Sequence, residues 1–472
     1  MKGRGQLLAA ALTVAAVVAA AVWLQRGVGT KAFAGPGAGA APSGVWFCPH
    51  GGGSAWGTTI QVANPGATAV RIRVTALSES RPGRAESYTV DPGAELLLPE
   101  PASSRAASTV VEYFGGWVAA SWVAHAGGGE TGVAAEPCSP TAGESWMLPD
   151  GSTQLAQSPS GPRSRRSLDS YVVVMNPFAV DAVFSLTLYT DKDAPVHAGA
   201  WTNVDLKPFR SRAFHLNDQR LGYATVSTTV QAKVGRVVAS TLDVSALGGI
   251  RSAIGQLAPA PATGVFPGGF DQGRTEFILL NPTGQPAQAT GALIGKGDPA
   301  PLSGPNGDRA NPNSAQTFAQ STDGPTSLVV KIPAGTAAVR RTYGESSDSA
   351  ATGPGQPRGA WVLFPALGGR TNHPGAVIAN AGSNAIDVRL SYLPSGTEPP
   401  PAPIMVHVPP LRTVAVPSAF VEARPLAAIL AVSTDGAFVP AEASYSLGLK
   451  GYAAYAVALG VPIPEPWVPA AS

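Results

Sequence analysis

The sequence TIQVANP at residues 59–65 is an apolar stretch that ends in Asn-Pro, and versions of it recur along the 472-residue chain. The further copies are YVVVMNP at 171–177, FILLNP at 277–282 and AVIANA at 376–381. Short apolar runs that end in turn residues are typical of β-strands. The Asn residues are spaced 112, 105 and 99 positions apart, so each repeat has the size of one small domain.

Each copy of this strand stands in the same context. It follows an opening of the form aromatic-x-x-Pro, and it precedes a stretch in which apolar and polar side chains alternate. The openings are WFCP at 46–49, WMLP at 146–149, VFP at 265–267 and WVLFP at 361–365. Near the end of each copy a glycine separates two apolar runs, and these glycines are 119, 100 and 101 positions apart. Two independent markers therefore give one period.

This pattern predicts an all-β protein, a tandem array of four immunoglobulin-like antiparallel β-sandwich repeats. Alternation with a period of two indicates strands with one buried face, and no segment after residue 30 shows a helical period. The predicted repeats cover residues 45–140, 145–261, 264–343 and 360–466. The third contains a predicted disordered insert at 295–320, and residues 344–359 have the composition of a linker. A β-propeller with two blades per repeat is the alternative, which the repeat length disfavours.

The first 30 residues predict a signal anchor, a transmembrane helix that precedes the repeats. Lys2 and Arg4 come before an uncharged, largely apolar run at 7–24, which has the minimum length for crossing a bilayer. The positive-inside rule places everything after this helix outside the cell. Residues 31–44, rich in Ala, Gly and Pro, predict a flexible stalk. The alternative is a cleaved signal peptide with its site at 32–34, which would give a secreted protein.

Two cysteines, Cys48 and Cys138, lie near the start and the end of the first repeat. In an oxidising compartment a single pair so placed predicts a disulfide. Closing a loop of this length restricts the unfolded chain and stabilises the fold by about 4 to 5 kcal/mol in the loop-entropy model. A metal site would need more ligands than His50 alone supplies.

The order of these elements resembles a known family. The aromatic-x-x-Pro opening, the strand that closes on Asn-Pro, the alternating strand, a turn with proline and a closing strand pair are similar to the tandem β-sandwich modules of membrane-anchored actinobacterial surface proteins, a domain-of-unknown-function family. The resemblance covers residues 46–466 and departs from the pattern at Ala381, which stands in place of proline. It implies a surface location, and it implies no activity because the family has no assigned active-site residues.

Composition and motifs indicate no catalytic centre. Only 13% of the residues are charged and the net charge is +2, so the chain has no strong field to attract nucleic acid. The sequence lacks the Gly-x-Ser-x-Gly and Ser-x-x-Lys motifs of acyl-transfer enzymes. Its six histidines are scattered, without the spacing of a zinc helix. We therefore predict a protein that is not an enzyme, with no catalytic residues, no cofactor, no metal and no nucleic-acid partner.

Two groups of residues are candidates for binding. Trp117 and Trp122 lie five positions apart in a predicted strand, so one of them is expected to point outward and to stack on a sugar or a partner protein. Arg163, Arg165 and Arg166 lie in a polar stretch and are candidates for contact with anionic envelope polymer or lipid headgroups, although a solvated loop is the simpler interpretation.

The function predicted from these observations is that of a non-enzymatic, membrane-anchored extracellular protein of the bacterial cell envelope. It would act as a structural or interaction scaffold that contacts a protein partner or a cell-surface glycan. The alternative is an enzyme, or an enzyme accessory, that acts on envelope polysaccharide through carboxylates brought together between repeats. The repeated Asn residues are interpreted as turn residues, because Asn bonds to nearby backbone where strands turn.

Overall fold

Antiparallel β-strands make up most of the chain in the computed structural model. The structure describes residues 43–101, 104–154, 168–245, 249–260, 262–268, 272–302, 309–343, 349–366, 372–393, 399–447 and 453–469. The described strands fall into four successive units, and each unit has its own pair of main antiparallel sheets. The prediction of an all-β fold of antiparallel sheets is therefore confirmed.

The first two units occupy residues 44–137 and 145–257. The strands of unit 1 are β1 (Gly44–Cys48), β2 (Gly57–Asn64), β3 (Val70–Leu77), β4 (Glu86–Val90), β5 (Ala94–Pro101), β6 (Ser108–Phe114), β7 (Ala119–His125) and β8 (Val133–Pro137). Those of unit 2 are β9 (Ser145–Leu148), β10 (Leu168–Asn176), β11 (Ala182–Thr190), β12 (Val204–Leu206), β13 (Arg210–His215), β14 (Val226–Val234), β15 (Val238–Ser245), β16 (Ile250–Ile254) and β17 (Gln256–Leu257). Unit 2 also contains the short 3-10 helices Gly199–Trp201 and Leu216–Asp218.

The last two units occupy residues 263–352 and 360–462. The strands of unit 3 are β18 (Thr263–Pro267), β19 (Gln272–Asn281), β20 (Ala287–Gln288), β21 (Thr290–Ile294), β22 (Ala300–Pro301), β23 (Arg309–Ala310), β24 (Ser314–Asp323), β25 (Ser327–Lys331), β26 (Ala337–Tyr343) and β27 (Ser349–Thr352). Those of unit 4 are β28 (Ala360–Leu363), β29 (Asn372–Asn380), β30 (Ile386–Leu393), β31 (Ile404–Val408), β32 (Arg412–Ala415), β33 (Ala428–Val432), β34 (Val439–Leu447), β35 (Ala453–Leu459) and β36 (Val461–Pro462). The helix α1 (Ser418–Ala423) lies between β32 and β33, and the 3-10 helix Glu465–Trp467 follows β36.

The four units share one strand order. In unit 1 one sheet has the order β1-β6-β3-β4 and the other has the order β5-β2-β7-β8. The matching pairs of sheets are β17-β9-β14-β11-β12 and β13-β10-β15-β16, β18-β25-β21-β22 and β24-β19-β26-β27, and β36-β28-β33-β30-β31 and β32-β29-β34-β35, where β17 and β36 are additional edge strands. Because apolar side chains alternate along the strands, the two sheets of a unit bury a shared core between them.

The Asn that ends the second strand of each unit is buried and binds equivalent backbone groups in all four units. In unit 1 the Asn64 Nδ2 donates to the carbonyl oxygens of Thr68 (2.8 Å) and Val90 (3.1 Å), and Oδ1 accepts from the Gly66 N–H at 3.0 Å. The same set of contacts is made by Asn176, Asn281 and Asn380. We name this arrangement the Asn clamp. It joins the second strand, the turn after it and the chain that leads into the paired edge strand.

A left-handed residue lies next to each Asn clamp, directly before or at the start of that edge strand. These residues have φ between 51° and 64°, and they are Gly93, Phe209, Asn313 and Leu411. Each donates its N–H to the carbonyl of the residue two positions after the clamp Asn. A residue with a Cβ adopts this conformation at a cost of about 1 to 2 kcal/mol. All four units therefore keep this left-handed turn, even at Phe209, Asn313 and Leu411, where the Cβ makes the conformation unfavourable.

Removing one clamp side chain tests how much it stabilises a unit. We expect Asn64→Ala to lower the free energy of unfolding by about 2 to 4 kcal/mol, because buried backbone groups lose their partners. The matched control is Asn384→Ala, since Asn384 is exposed and takes part in a clamp only through its backbone carbonyl. That control should change the free energy by less than about 0.5 kcal/mol in urea denaturation. Equal effects of the two substitutions would contradict the clamp.

The left-handed turn can be tested in isolation at Gly93. A Cβ at Gly93 would meet no atom within 4 Å, so Gly93→Ala introduces backbone strain without a clash. We expect it to destabilise the protein by about 1 kcal/mol. Gly284 is equally open but does not have a left-handed φ, so Gly284→Ala should be neutral or slightly stabilising in the same denaturation experiment. A loss of stability in both variants would rule out φ as the cause.

The four units close into a ring. Their inner strands β8, β16, β27 and β35 contact one another in this order, and β35 returns to β8. Small side chains on these strands let the four backbones approach and leave a central cavity of only about 10 Å³, lined in part by Ala134, Ala135, Ser252, Ala350, Ala351 and Ala456. The apolar core of unit 1 continues into unit 4, where it includes Val362, Phe364 and Ala428. Contacts between the last and the first unit thus complete the ring.

Two segments differ from their predicted state. The predicted disordered insert at 295–320 contains β22, β23 and most of β24, so the prediction is wrong for the described residues. β24 pairs with β19 over ten residues, from Gln272↔Asp323 to Asn281↔Ser314. This extended pairing stabilises β24 as a strand despite the polar composition of its sequence. The predicted linker at 344–359 includes β27, because Ala350 and Ala351 are buried at the ring centre. The short helix α1 is likewise absent from the sequence-based prediction.

The predicted signal anchor at 1–30 lies outside the described residues, as does all but the end of the predicted stalk at 31–44. Within the described ranges, no helix combines the length and the apolar character that crossing a bilayer requires.

Candidate functional site

Trp117 and Trp122, the predicted binding aromatics, are both buried, with exposed fractions of 6% and 1%. Trp122 lies in β7, whereas Trp117 precedes this strand and packs edge-on against Trp46 with ring centres 6.2 Å apart. The prediction that one of them points outward is wrong, because strand alternation does not relate a residue in β7 to one before it. Both side chains belong to the core. The predicted Arg163, Arg165 and Arg166 lie outside the described residues.

Cys48 and Cys138 form a disulfide, as the sequence predicts. Cys48 ends β1 and Cys138 directly follows β8, so the bond joins the first and last strands of unit 1. Both residues are buried. The disulfide therefore ties the outer sheet that contains β1 to the strand that unit 1 contributes to the ring centre.

His50 directly follows the opening at 46–49 and is buried. Its Nδ1 lies 2.6 Å from the Gly51 carbonyl oxygen and its Nε2 lies 3.0 Å from the Thr109 hydroxyl. Because a carbonyl oxygen only accepts, Nδ1 carries the proton and Nε2 accepts from Thr109. Burial lowers the pKa of His50 to about 4, so this ring is neutral and structural. Among the described residues, no three His, Cys, Asp or Glu side chains converge as a metal site would require.

A network of buried charges joins units 2 and 3. The Asp150 Oδ2 accepts from Arg251 Nε at 2.6 Å within unit 2, and its Oδ1 accepts from Arg341 Nη2 of unit 3 at 2.6 Å. Arg251 also contacts Asp243, and Arg341 Nη1 lies 3.2 Å from Glu276 Oε2. All five side chains are at most 7% exposed. The network therefore holds the junction between these units without contact with solvent.

The pKa values around this network follow from burial and from the two arginines. Burial alone would raise the pKa of Asp150, but the charges of Arg251 and Arg341 outweigh it and hold the pKa at about 2. At Asp243 burial prevails over the charge of Arg251 and raises the pKa. Burial and the negative charge of Asp150 raise the pKa of Glu136 well above its usual value. Asp150 is thus the fixed negative charge between two cations.

The contribution of the buried network can be measured against an exposed pair of the same kind. Arg341→Met leaves Glu276 without this cation and Asp150 with one cation fewer, so we expect a loss of about 3 to 5 kcal/mol in the free energy of unfolding. The control is Arg412→Met, since Arg412 also pairs across a junction, with Asp298 at 3.0 Å, but that carboxylate is 97% exposed. Its removal should cost less than about 0.5 kcal/mol. Similar losses for both variants in urea denaturation would contradict this account.

A second cluster crosses the junction between units 1 and 2 and is partly exposed. The Arg105 guanidinium lies between the rings of Trp56 and Tyr171, at 5.1 and 5.4 Å from their centres. The Tyr171 ring stacks on His215 with centres 4.7 Å apart and planes 20° apart. Trp56 Nε1 donates to Glu130 Oε2 at 2.7 Å, and Arg105 pairs with the other oxygen of this carboxylate. We name these five residues the junction stack.

The junction stack is partly open to solvent at both ends, at Glu130 of unit 1 and at His215 of unit 2. The His215 side chain is 30% exposed, and its ring nitrogens lie 3.4 Å from Asp169 Oδ1 and 2.9 Å from Asp218 Oδ1. Both carboxylates are more than half exposed. The stack therefore presents the part-exposed His215 ring beside two hydrogen-bond acceptors, a combination suited to sugars and to polar protein surfaces.

No family model matches the chain, and no curated protein is significantly similar to it. The resemblance to tandem modules of surface proteins therefore stays a prediction.

Neither junction cluster follows from local sequence patterns. Asp150 and Arg341 are 191 positions apart and belong to different units, so no spacing rule relates them. One signal was present in the repeat itself, at the position after each opening proline. This position changes residue type from unit to unit, and its occupants are His50, Asp150, Gly268 and Ala366. Of these four residues, Asp150 forms the charged contact between units 2 and 3.

Proposed function

We propose that this protein is a non-enzymatic, membrane-anchored scaffold of the bacterial cell envelope, with its β-ring outside the cell, and that the junction stack binds a cell-surface glycan. Four immunoglobulin-like sandwiches would serve as the rigid frame of this binding surface. The proposal is supported by the disulfide of unit 1, which suits an oxidising compartment, and by the predicted signal anchor.

The observation that carries the binding proposal is the stack of Arg105, Tyr171 and His215 beside exposed carboxylates. Sugar rings stack their C–H faces on aromatic side chains, and their hydroxyl groups donate to carboxylates. The stack is held by residues of two units, so its geometry is set before a ligand arrives. Such preorganisation reduces the entropy that binding costs.

Site-specific crosslinking in the native membrane tests this proposal. A photoreactive residue is placed at Asp218, which borders the stack, and in a second variant at Met405, which is 62% exposed in unit 4. We expect a carbohydrate adduct from the first position and none from the second. His215→Ala should reduce the adduct by about tenfold, because it removes the part-exposed ring and with it a stacking contact worth about 1 to 1.5 kcal/mol.

Three other outcomes would contradict the glycan proposal. A protein adduct at Asp218 would identify a protein partner instead. Equal adducts from both positions, or lipid alone, would show that the stack is not a binding site. Release of shortened oligosaccharides from purified envelope polysaccharide would indicate the enzymatic alternative, and carboxylate variants would then be compared for this activity.

A further inference from the structure

One position of the edge strand faces the neighbouring unit at every junction of the ring. It is the residue that pairs with the one before the clamp Asn, and its occupants are Glu95, Ser211, Ala315 and Thr413. Ser211 donates its N–H to the Ser78 carbonyl oxygen of unit 1. Thr413 donates its hydroxyl to the Ile294 carbonyl oxygen of unit 3 at 3.0 Å and its N–H to Gly295 at 3.3 Å. Small neutral residues thus make these contacts at two junctions.

The junction that closes the ring, between units 4 and 1, carries a carboxyl group at this position instead. The Glu95 Oε2 accepts from the Ala428 N–H at the start of β33, at 2.9 Å. A second glutamate, Glu442 of β34, is also buried and close enough for its charge and that of Glu95 to interact. Glu95 Oε1 and Glu442 Oε2 have no hydrogen-bond partner among the described residues. Neither carboxyl group forms an ion pair with a described Lys, Arg or His.

Few charged groups surround this pair. Glu95 of β5 is the titratable group whose charge acts on Glu442 of β34. From β30, Tyr392 is affected by the charge of Glu442, and its hydroxyl donates to the Phe420 carbonyl oxygen. Arg424 acts on Tyr392, and no cation contributes to the pKa of either glutamate. Ionised carboxylates here would be buried without a cation to compensate their charge.

We propose that the junction between units 4 and 1 is a pH-sensitive closure of the ring, which opens before the other three junctions when Glu95 and Glu442 ionise. The neutral carboxyl groups pack within the closed junction. Their ionised forms repel each other and require water, which reaches them when unit 4 separates from unit 1.

The direction of the pH dependence follows from the pKa values in the closed ring. Burial raises the pKa of Glu95 to about 8, although the hydrogen bond from Ala428 opposes this shift. Burial also raises the pKa of Glu442, and the negative charge of Glu95 raises it further. The pKa values are thus higher in the closed than in the open state. Closure is fully favoured below about pH 4.5, the ordinary range for glutamate, and this contribution is lost as the pH rises through about 8.

Hydrogen exchange of single amides in the whole chain tests the closure. The Ala428 amide reports on the junction between units 4 and 1, and the Ser211 and Thr413 amides report on two other junctions. Between about pH 6 and pH 9 we expect the protection factor of Ala428 to fall by at least about tenfold, because each pH unit between the open-state pKa and the closed-state pKa of one group changes the equilibrium about tenfold. The protection factor of Thr413 should stay within about twofold, and that of Ser211 should fall by less than that of Ala428, because Glu136 of unit 1, which interacts with Asp150 of unit 2, also has a raised pKa.

The double variant Glu95→Gln and Glu442→Gln separates ionisation from other effects of alkaline pH. Its side chains keep the shape and the acceptor for Ala428 but do not titrate, so the alkaline loss of protection at Ala428 should disappear. An unchanged loss in this variant would overturn the proposal. In the unmodified chain, an equal loss at all three amides, or none at Ala428, would overturn it as well, so the test stands even if the variant does not fold.

Discussion

Four buried asparagine side chains fix the turns on which the strand pairing of all four units depends. A carboxamide inside a protein must place two donors and one acceptor on partners, and each clamp Asn does so with backbone groups of three segments. This fixes the register of the second strand against its neighbours. Since a shift by one residue would turn every side chain to the other face of the sheet, both the core of each unit and the surface it offers to the next unit depend on this contact.

The ring uses a constant backbone frame and variable junction chemistry. Between units 1 and 2 the junction contains hydroxyl contacts and the junction stack, whereas between units 2 and 3 it contains the Asp150 network. Between units 4 and 1 it contains two glutamates with raised pKa values. A repeated fold thus allows each junction to differ in polarity and stability, because changing one side chain at a junction leaves the strand order intact.

Local features could be predicted from the sequence and long-range ones could not. Asn64, the alternation along β3 and the Cys48–Cys138 pair carry their signals in a few neighbouring residues or in residue type alone. The close packing of the four inner strands depends on small residues such as Ala134 and Ala350. In the sequence these look like ordinary strand residues, because the convergence of four distant strands is not visible there. β24 was missed because its polar composition hides a ladder with β19. Trp117 was misjudged because it lies just before β7, where alternation does not apply.

Ring closure by the last unit also affects how the chain reaches its final state. Val123 and Ala135 of unit 1 are covered by Ala366, Ala456 and Ala458 of unit 4. A nascent chain that emerges from its N-terminus therefore shows this apolar strip to its surroundings until synthesis of unit 4 is complete. During this interval the exposed strip can associate with other chains. A holding chaperone would shield it during that time.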